Sequence, residues 1–137
     1  MKVDTVQVAV YEFPLDEPEA DGTLTWKSTV MVVVGVTAGG VRGIGYTYGA
    51  GACAGVVADT LRDVVVGSDP MFVQGTWGAM VRAVRNLGRP GVVSHAISAV
   101  DCALWDLKAR LRGESLVSTL GASRDEVPLY GSGGFVS

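Results

Sequence analysis

The 137-residue sequence predicts an α+β fold, a three-stranded antiparallel meander packed on a block of helices. Three observations carry that expectation. Strand-like patterning fills the first third of the chain, only short turn chemistry separates its last two strands, and apolar residues at helical spacing fill the middle. An antiparallel meander can leave one face in water, so the helices are expected to cover the other.

The first strand is read from Val6, Val8 and Val10 alternating with Gln7 and Ala9, followed by Tyr11 and Phe13. It is expected to end at Pro14. From Pro14 to Thr23 the chain is Pro, Gly and acidic residues, a composition that predicts an irregular, mobile loop. Trp26 to Thr37 is β-branched and apolar, Ala38-Gly39-Gly40 is turn chemistry, and Val41 to Tyr48 resumes a strand pattern, which together predict a β-hairpin.

Helices follow. Ala52 to Val65 places Val56, Val57, Leu61, Val64 and Val65 on one side, and Gly67-Ser68-Asp69-Pro70 breaks it. A second helix is expected from about Phe72 to Leu87, stopped by Gly88, Pro90 and Gly91. The third has the strongest pattern: Val93, Ala96, Ile97, Val100, Ala103, Leu104, Leu107 and Leu111 repeat at i, i+3, i+4, i+7, with Gly113 as the stop. Leu116 to Leu120 predicts a short helical turn. Val127 to Tyr130 predicts a strand, and since the preceding helices offer no neighbour for it, that strand is expected to open a new βα unit, with the polypeptide cut there.

Composition limits the function. The net charge is −3 and the arginines are scattered, so no basic face for nucleic acid is expected. The longest apolar run, Val30 to Val34, is far too short to span a bilayer, and the N-terminus lacks a signal-peptide core, so a cytoplasmic protein without membrane contact is the expectation. Cys53 and Cys102 are read as two reduced, buried thiols. The one histidine, His95, stands seven residues from Cys102, about 10 Å along a helix, too far to share a zinc ion. Asp106 and Arg110 are read as an i, i+4 ion pair. Gly49, Gly51 and Gly55 form a G-x-G-x-x-x-G run between a strand and a helix, with Asp69 downstream, which raises nucleotide binding as an alternative. Against it, the preceding strand closes a hairpin, whereas dinucleotide folds need a parallel crossover. The tighter reading of these glycines is a turn and close packing. The Pro14 to Thr23 loop, with Tyr46, Tyr48 and Trp26, is read either as solvated connection and sheet aromatics or as a lid.

The stretch Ala96-Ile97-Ser98-Ala99-Val100-Asp101-Cys102-Ala103-Leu104-Trp105-Asp106-Leu107-Lys108-Ala109-Arg110, followed by Gly113, Leu116, Leu120 and Gly121, resembles the signature helix of the mandelate racemase and muconate lactonizing branch of the enolase superfamily. Thr119 departs from it, since the pattern usually has Leu there. The first strand, the Thr25 to Tyr48 hairpin and the Val127 to Phe135 ending extend the likeness over nearly the whole chain. The resemblance implies a capping domain over residues 1–125 and, over 126–137, the first strand of a β/α barrel otherwise absent from this chain. It further implies a racemase, dehydratase or cycloisomerase (isomerase or lyase chemistry) in which Mg²⁺, bound by the missing barrel, stabilises the enediolate left by removing a proton α to a carboxylate. No catalytic residue or metal ligand maps onto this chain, which is expected to be inactive alone. Substrate contacts are implied at Asp16 and Glu17 in the loop, at Tyr48, and at Ser132 and Gly133 after the barrel strand. The implied partners are a small carboxylate such as an acid sugar, the barrel as a companion chain or missing part, and a second copy in a homo-oligomer. The alternative of another class is a stand-alone binding or scaffolding domain.

Overall fold

In the computed structural model, which describes residues 1–131, the elements run β1 (Thr5–Ala20), β2 (Thr25–Ala38), β3 (Val41–Tyr48), α1 (Ala52–Val56), a π-helical turn (Val57–Leu61), α2 (Arg62–Val65), α3 (Val73–Ala83), α4 (Val92–Arg112) and α5 (Leu116–Leu120). The sheet order is β1-β2-β3, antiparallel throughout, so the expected meander on a helical block is the observed architecture.

Pairing register separates two faces. Val6 pairs with Val36 and Val8 with Val34, and Val32, Val34 and Val36 are fully buried beneath the helices. The opposite face carries Tyr11, Phe13, Ile44, Tyr46 and Tyr48, all exposed. Cross-strand rows join Tyr11 to Met31 to Tyr48 and Ala9 to Val33 to Tyr46. These rows make that face largely apolar and aromatic.

The main departure from expectation lies at Pro14 to Thr23. The chain does not become an irregular loop; β1 continues to Ala20 and pairs again with β2 through Glu19↔Trp26 and Ala20↔Thr25. Between Pro14↔Ser28 and Glu19↔Trp26, the four residues Leu15 to Pro18 face the single residue Lys27. This wide bulge takes up Pro18 and begins directly after Pro14, so the missing proline N–H groups fall in it or at its edge and not within a regular ladder. The far end is closed by side chains: Trp26 Nε1 donates to Glu19 Oε2 at 3.0 Å, and Asp21 Oδ1 accepts from the Thr23 and Leu24 backbone N–H groups, both at 2.9 Å. An isolated acidic stretch cannot show this, because the partner strand supplies the hydrogen bonds.

The predicted helix over 52–65 forms, but widens at Val57–Leu61 into a π-helical turn. Val57, Leu61 and Val65 all end in the core. α3 is shorter than the expected 72–87, stopping at Ala83, and residues 84–91 return toward α4. α4 runs 21 residues with Ala96, Ala99, Val100, Ala103, Leu104 and Leu107 buried. Gly113 closes it in the left-handed conformation at φ +66°, as a C-terminal glycine does. Ser115 caps α5 by accepting from Ser118 N–H.

β3 lies unusually close to α4. Gly43 and Gly45 are buried against it, and a Cβ on Gly45 would stand 2.5 Å from the Ala103 nitrogen and 2.9 Å from the Cys102 Cβ. The glycines therefore let helix backbone rest directly on strand backbone. Asp106 fastens the contact: its carboxylate accepts from the Ile44 backbone N–H at 2.8 Å and pairs with Arg110 at 2.8 Å. The expected i, i+4 pair thus has a second, tertiary partner.

The expected strand over Val127–Tyr130 is not formed. Residues 122–131 are irregular and exposed, with Leu129 and Tyr130 each 92% accessible, since among the described residues no strand pairs with them. Of the two thiols expected to be buried, Cys53 is and Cys102 is exposed; both are free. Cys102 misses the core because it follows Asp101 on the flank of α4, between the buried pairs Ala99–Val100 and Ala103–Leu104.

Candidate functional site

One end of the sheet gathers the features that could meet a ligand. β3 ends at Tyr48 opposite Met31, and beyond that row only β1 and β2 continue, as a two-stranded arm carrying the bulge and the Asp21–Leu24 tip. The turn from β3 into α1 sits at the same end: Gly49 N–H donates to Val30 O at 3.3 Å, and Cys53 and Ala54 N–H groups donate to Ala50 and Gly51. A Cβ on Gly49 would lie 2.8 Å from His95 Nδ1, so a larger residue there would displace the imidazole where the turn crosses the first turn of α4. His95 supports the turn through this contact and is exposed on its other side.

Tyr48 is 57% exposed and packs edge-on to Tyr46 at a centroid distance of 5.8 Å. This geometry holds two rings side by side on the outer face with their hydroxyls free for a ligand. Asp16 and Glu17 lie in the bulge and are exposed. They share the sheet end with Tyr48 without meeting it, since five residues of strand from the Tyr11 row to Asp16 span roughly 16 Å. Ser132 and Gly133 lie outside the described residues. Gly131, the last described residue, is exposed.

The electrostatics of this end are those of an acidic tip. Asp21 is held down at about 2 by the Thr23 hydroxyl first, then by the Leu24 and Thr23 backbone N–H groups. Elsewhere, burial pushes the Asp101 carboxyl up, in a cleft on α3 and α4 where Arg89 stacks on Trp77 at 5.9 Å. Burial also raises the Cys53 thiol. Among the described residues no three His, Cys, Asp or Glu side chains converge as a metal site.

The glycine run after β3 follows an antiparallel strand, and the described residues contain no parallel βαβ crossover, so the nucleotide-binding alternative loses its structural basis. What sequence reasoning missed is the exposed aromatic face and the length of the arm. The alternation of Ala9, Tyr11 and Phe13 carried the first signal; the second depended on pairing with Thr25 and Trp26.

Comparisons with known proteins agree with this layout. A family model described as the N-terminal domain of mandelate racemase / muconate lactonizing enzyme matches residues 3–121. The L-talarate/galactarate dehydratase of Salmonella typhimurium is 32% identical over 98% of this chain and 37% of its own length. A mandelate racemase/muconate lactonizing enzyme-like protein from Rubrobacter xylanophilus superposes with a TM-score of 0.96 at 49% identity, covering all of this chain and 38% of that one. A racemase from Streptomyces coelicolor, solved with bound magnesium, superposes at 0.75 with 34% identity over 78% of this chain and 32% of its own. The chain therefore spans well under half the length of the proteins it matches.

Proposed function

The chain belongs to the family of mandelate racemase / muconate lactonizing enzyme N-terminal domains, and on that premise we propose that it is the capping and specificity part of a Mg²⁺-dependent enolase-superfamily enzyme that removes a proton α to a carboxylate. The observation that carries the reading is the family match over 3–121 together with the arm and the β3–α1 turn at one end of the sheet. A protruding two-stranded arm beside a tight turn is a shape that covers a pocket in another body and excludes water from it. α5 and the segment after it support docking on such a body: Leu116, Val117, Leu120 and Leu129 are exposed, and α5 buries nothing of its own.

The residues present do not fit magnesium, because the carboxylates of the arm do not converge on one point. On this reading the metal and the proton-transfer groups reside in a barrel supplied by other sequence, and the ion would stabilise the enediolate there. This chain's own contribution is to contact the substrate through Asp16, Glu17 and Tyr48, with Ser132 and Gly133 at the junction. The named dehydratase relative acts on talarate and galactarate, so the proposed substrate class is an acid sugar. A hydroxylated diacid of that kind offers hydroxyl groups to the arm carboxylates and the tyrosine hydroxyl.

The test is deuterium exchange at the α-carbon of galactarate, followed by proton NMR with Mg²⁺ present. The chain alone should catalyse no exchange, and the chain joined to its barrel should. In the joined protein Tyr48→Phe and Asp16→Ala should change kcat/KM ratios among acid sugars while leaving Mg²⁺ affinity unchanged. Exchange by the isolated chain would refute the division of labour; unchanged ratios would refute the role of the arm.

A further inference from the structure

β3 meets α4 through alternate residues. Gly43, Gly45, Thr47 and Gly49 turn toward the helix, while Ile44, Tyr46 and Tyr48 turn away from it and are exposed. Beneath Gly43 and Gly45 the nearest atoms belong mainly to helix backbone, at Ala99, Ala103 and Leu107, so the main chain of α4 fixes the clearance there. The contact under Gly49 differs in kind. A Cβ at that position would meet the His95 ring, 2.8 Å from Nδ1 and 3.7 Å from Cε1, with the Cys53 sulfur also at 3.7 Å. One C–C bond separates that point from the Gly49 Cα, which therefore lies no more than about 4.3 Å from Nδ1. At this end of the seam a side chain, and not the helix backbone, sets the height of the chain above α4.

The segment resting on His95 is held at both ends and lightly between them. On one side, Tyr48↔Met31 is the last pair of the β2–β3 ladder, and Gly49 N–H donates to Val30 O at 3.3 Å, longer than a strong bond of its type. On the other, Cys53 is fully buried and its thiol donates to the Val92 carbonyl at 3.5 Å, which pins the start of α1 to the first turn of α4. Between them run Gly49, Ala50, Gly51 and Ala52, of which the last three are exposed and two of the four are glycine, the residue least able to hold its own conformation.

We propose that His95 is a positioning residue: its imidazole is the seat of the β3–α1 turn, fixes how Tyr48 is presented at the end of the sheet, and through Tyr48 tunes selectivity among acid sugars. This rests on the capping role proposed above for Tyr48 and adds the residue behind it. His95 acts through Gly49, the neighbour of Tyr48 in sequence, and needs no contact with substrate. Loss of the seat lets the turn settle toward α4 and carries the Tyr48 hydroxyl with it, and a displacement of about 1 Å takes a hydrogen bond of ordinary length out of range. All the contacts involved lie within the chain.

Amide hydrogen exchange of the chain, read by NMR, is the first test. His95→Ala should speed exchange at the Gly49 N–H at least about fivefold as its bond to Val30 loosens, and His95→Asn, whose amide reaches the place of Nδ1, should stay within about twofold of the wild type. His95→Ser empties the same hollow and stands in for the alanine variant should circular dichroism show that one unfolded. In the chain joined to its barrel, His95→Ala should raise the KM for galactarate about fivefold, the worth of one neutral hydrogen bond, with kcat within about twofold of wild type. His95→Asn should restore the KM. In a Tyr48→Phe background His95→Ala should change KM less than about twofold, because the hydroxyl it positions is gone. Unchanged Gly49 exchange in a folded His95→Ala chain overturns the inference and leaves the capping reading standing. An equal rise in KM with and without the Tyr48 hydroxyl also overturns it, since His95 would then not act through Tyr48. Acid-sugar ratios that ignore Tyr48→Phe, while Gly49 exchange responds to His95→Ala, refute the Tyr48 contact itself and with it the selectivity assigned to His95.

Discussion

Replacing Gly45 by Ala should be among the most damaging single-methyl additions in this protein. The new Cβ would stand 2.5 Å from the Ala103 nitrogen and 2.9 Å from the Cys102 Cβ, and nearer still to the Ala99 carbonyl oxygen. Ordinary contact begins at about 3.4 Å, so strand and helix must separate by roughly 1 Å along the seam. The atoms in the way are mostly helix backbone, which cannot swing aside as a side chain would. Gly43 meets the same obstacle one turn further along, at Ala103 and Leu107, so the helix cannot tilt about one contact to relieve the other. Overpacking of a well-filled interior costs about 1–3 kcal/mol, and a backbone clash belongs at the upper end of that range. A loss of about 3 kcal/mol should lower Tm by roughly 10 °C in a domain of this size. The ordinary benefit of Gly→Ala, about 0.4–1 kcal/mol through the unfolded chain, is too small to compensate. Gly51→Ala is the matched control: its φ is −54° and its nearest neighbour, Val10 Cγ1, is at 3.5 Å, so it should be neutral or slightly stabilising. Urea denaturation and thermal melts of both variants decide the matter. A Gly45→Ala loss below about 0.5 kcal/mol, within the scatter of ordinary surface substitutions, would refute the view that backbone contact sets the β3–α4 distance.

Two further outcomes follow from the same structure. Asp106→Ala should cost about 1–3 kcal/mol in denaturant, since it strips the acceptor from the Ile44 N–H, whereas Arg110→Ala, whose side chain is 54% exposed, should cost under about 1 kcal/mol; equal losses would point to the ion pair and away from the strand tether. Asp21 is depressed to about 2 by hydrogen bonds at the arm tip, so its contribution to tip stability is present above the normal value of 3.8 and is lost as pH falls through about 2. A carboxyl titration followed by NMR should show that midpoint, with Thr23 and Leu24 amide protection falling alongside it, and a midpoint at the ordinary value would remove the proposed turn lock.

Sequence alone determined what depends on neighbours along the chain. The eight apolar positions from Val93 to Leu111 repeat at the helical period, so α4 and its buried face were legible, as were its stop at Gly113, the Asp106–Arg110 pair and the Ala38-Gly39-Gly40 turn. The signature in that helix also carried the family, which the match over 3–121 then established. Tyr48 enters the proposed site through the family resemblance; its place at the end of β3 beside the glycine turn is what the fold adds. Tertiary structure decided whatever depends on residues distant in sequence. Pro14 to Ala20 reads as loop until Thr25 to Ser28 fold back to pair with it, because a strand's hydrogen bonds belong to two segments at once. Val127 to Tyr130 reads as a strand by composition and is none here, for the same reason in reverse. Gly43 and Gly45 look like weak strand residues until α4 is laid on them, and their value is the space they leave. Periodicity and capping are local properties of the chain, whereas pairing, clearance and edge exposure exist only between segments already brought together.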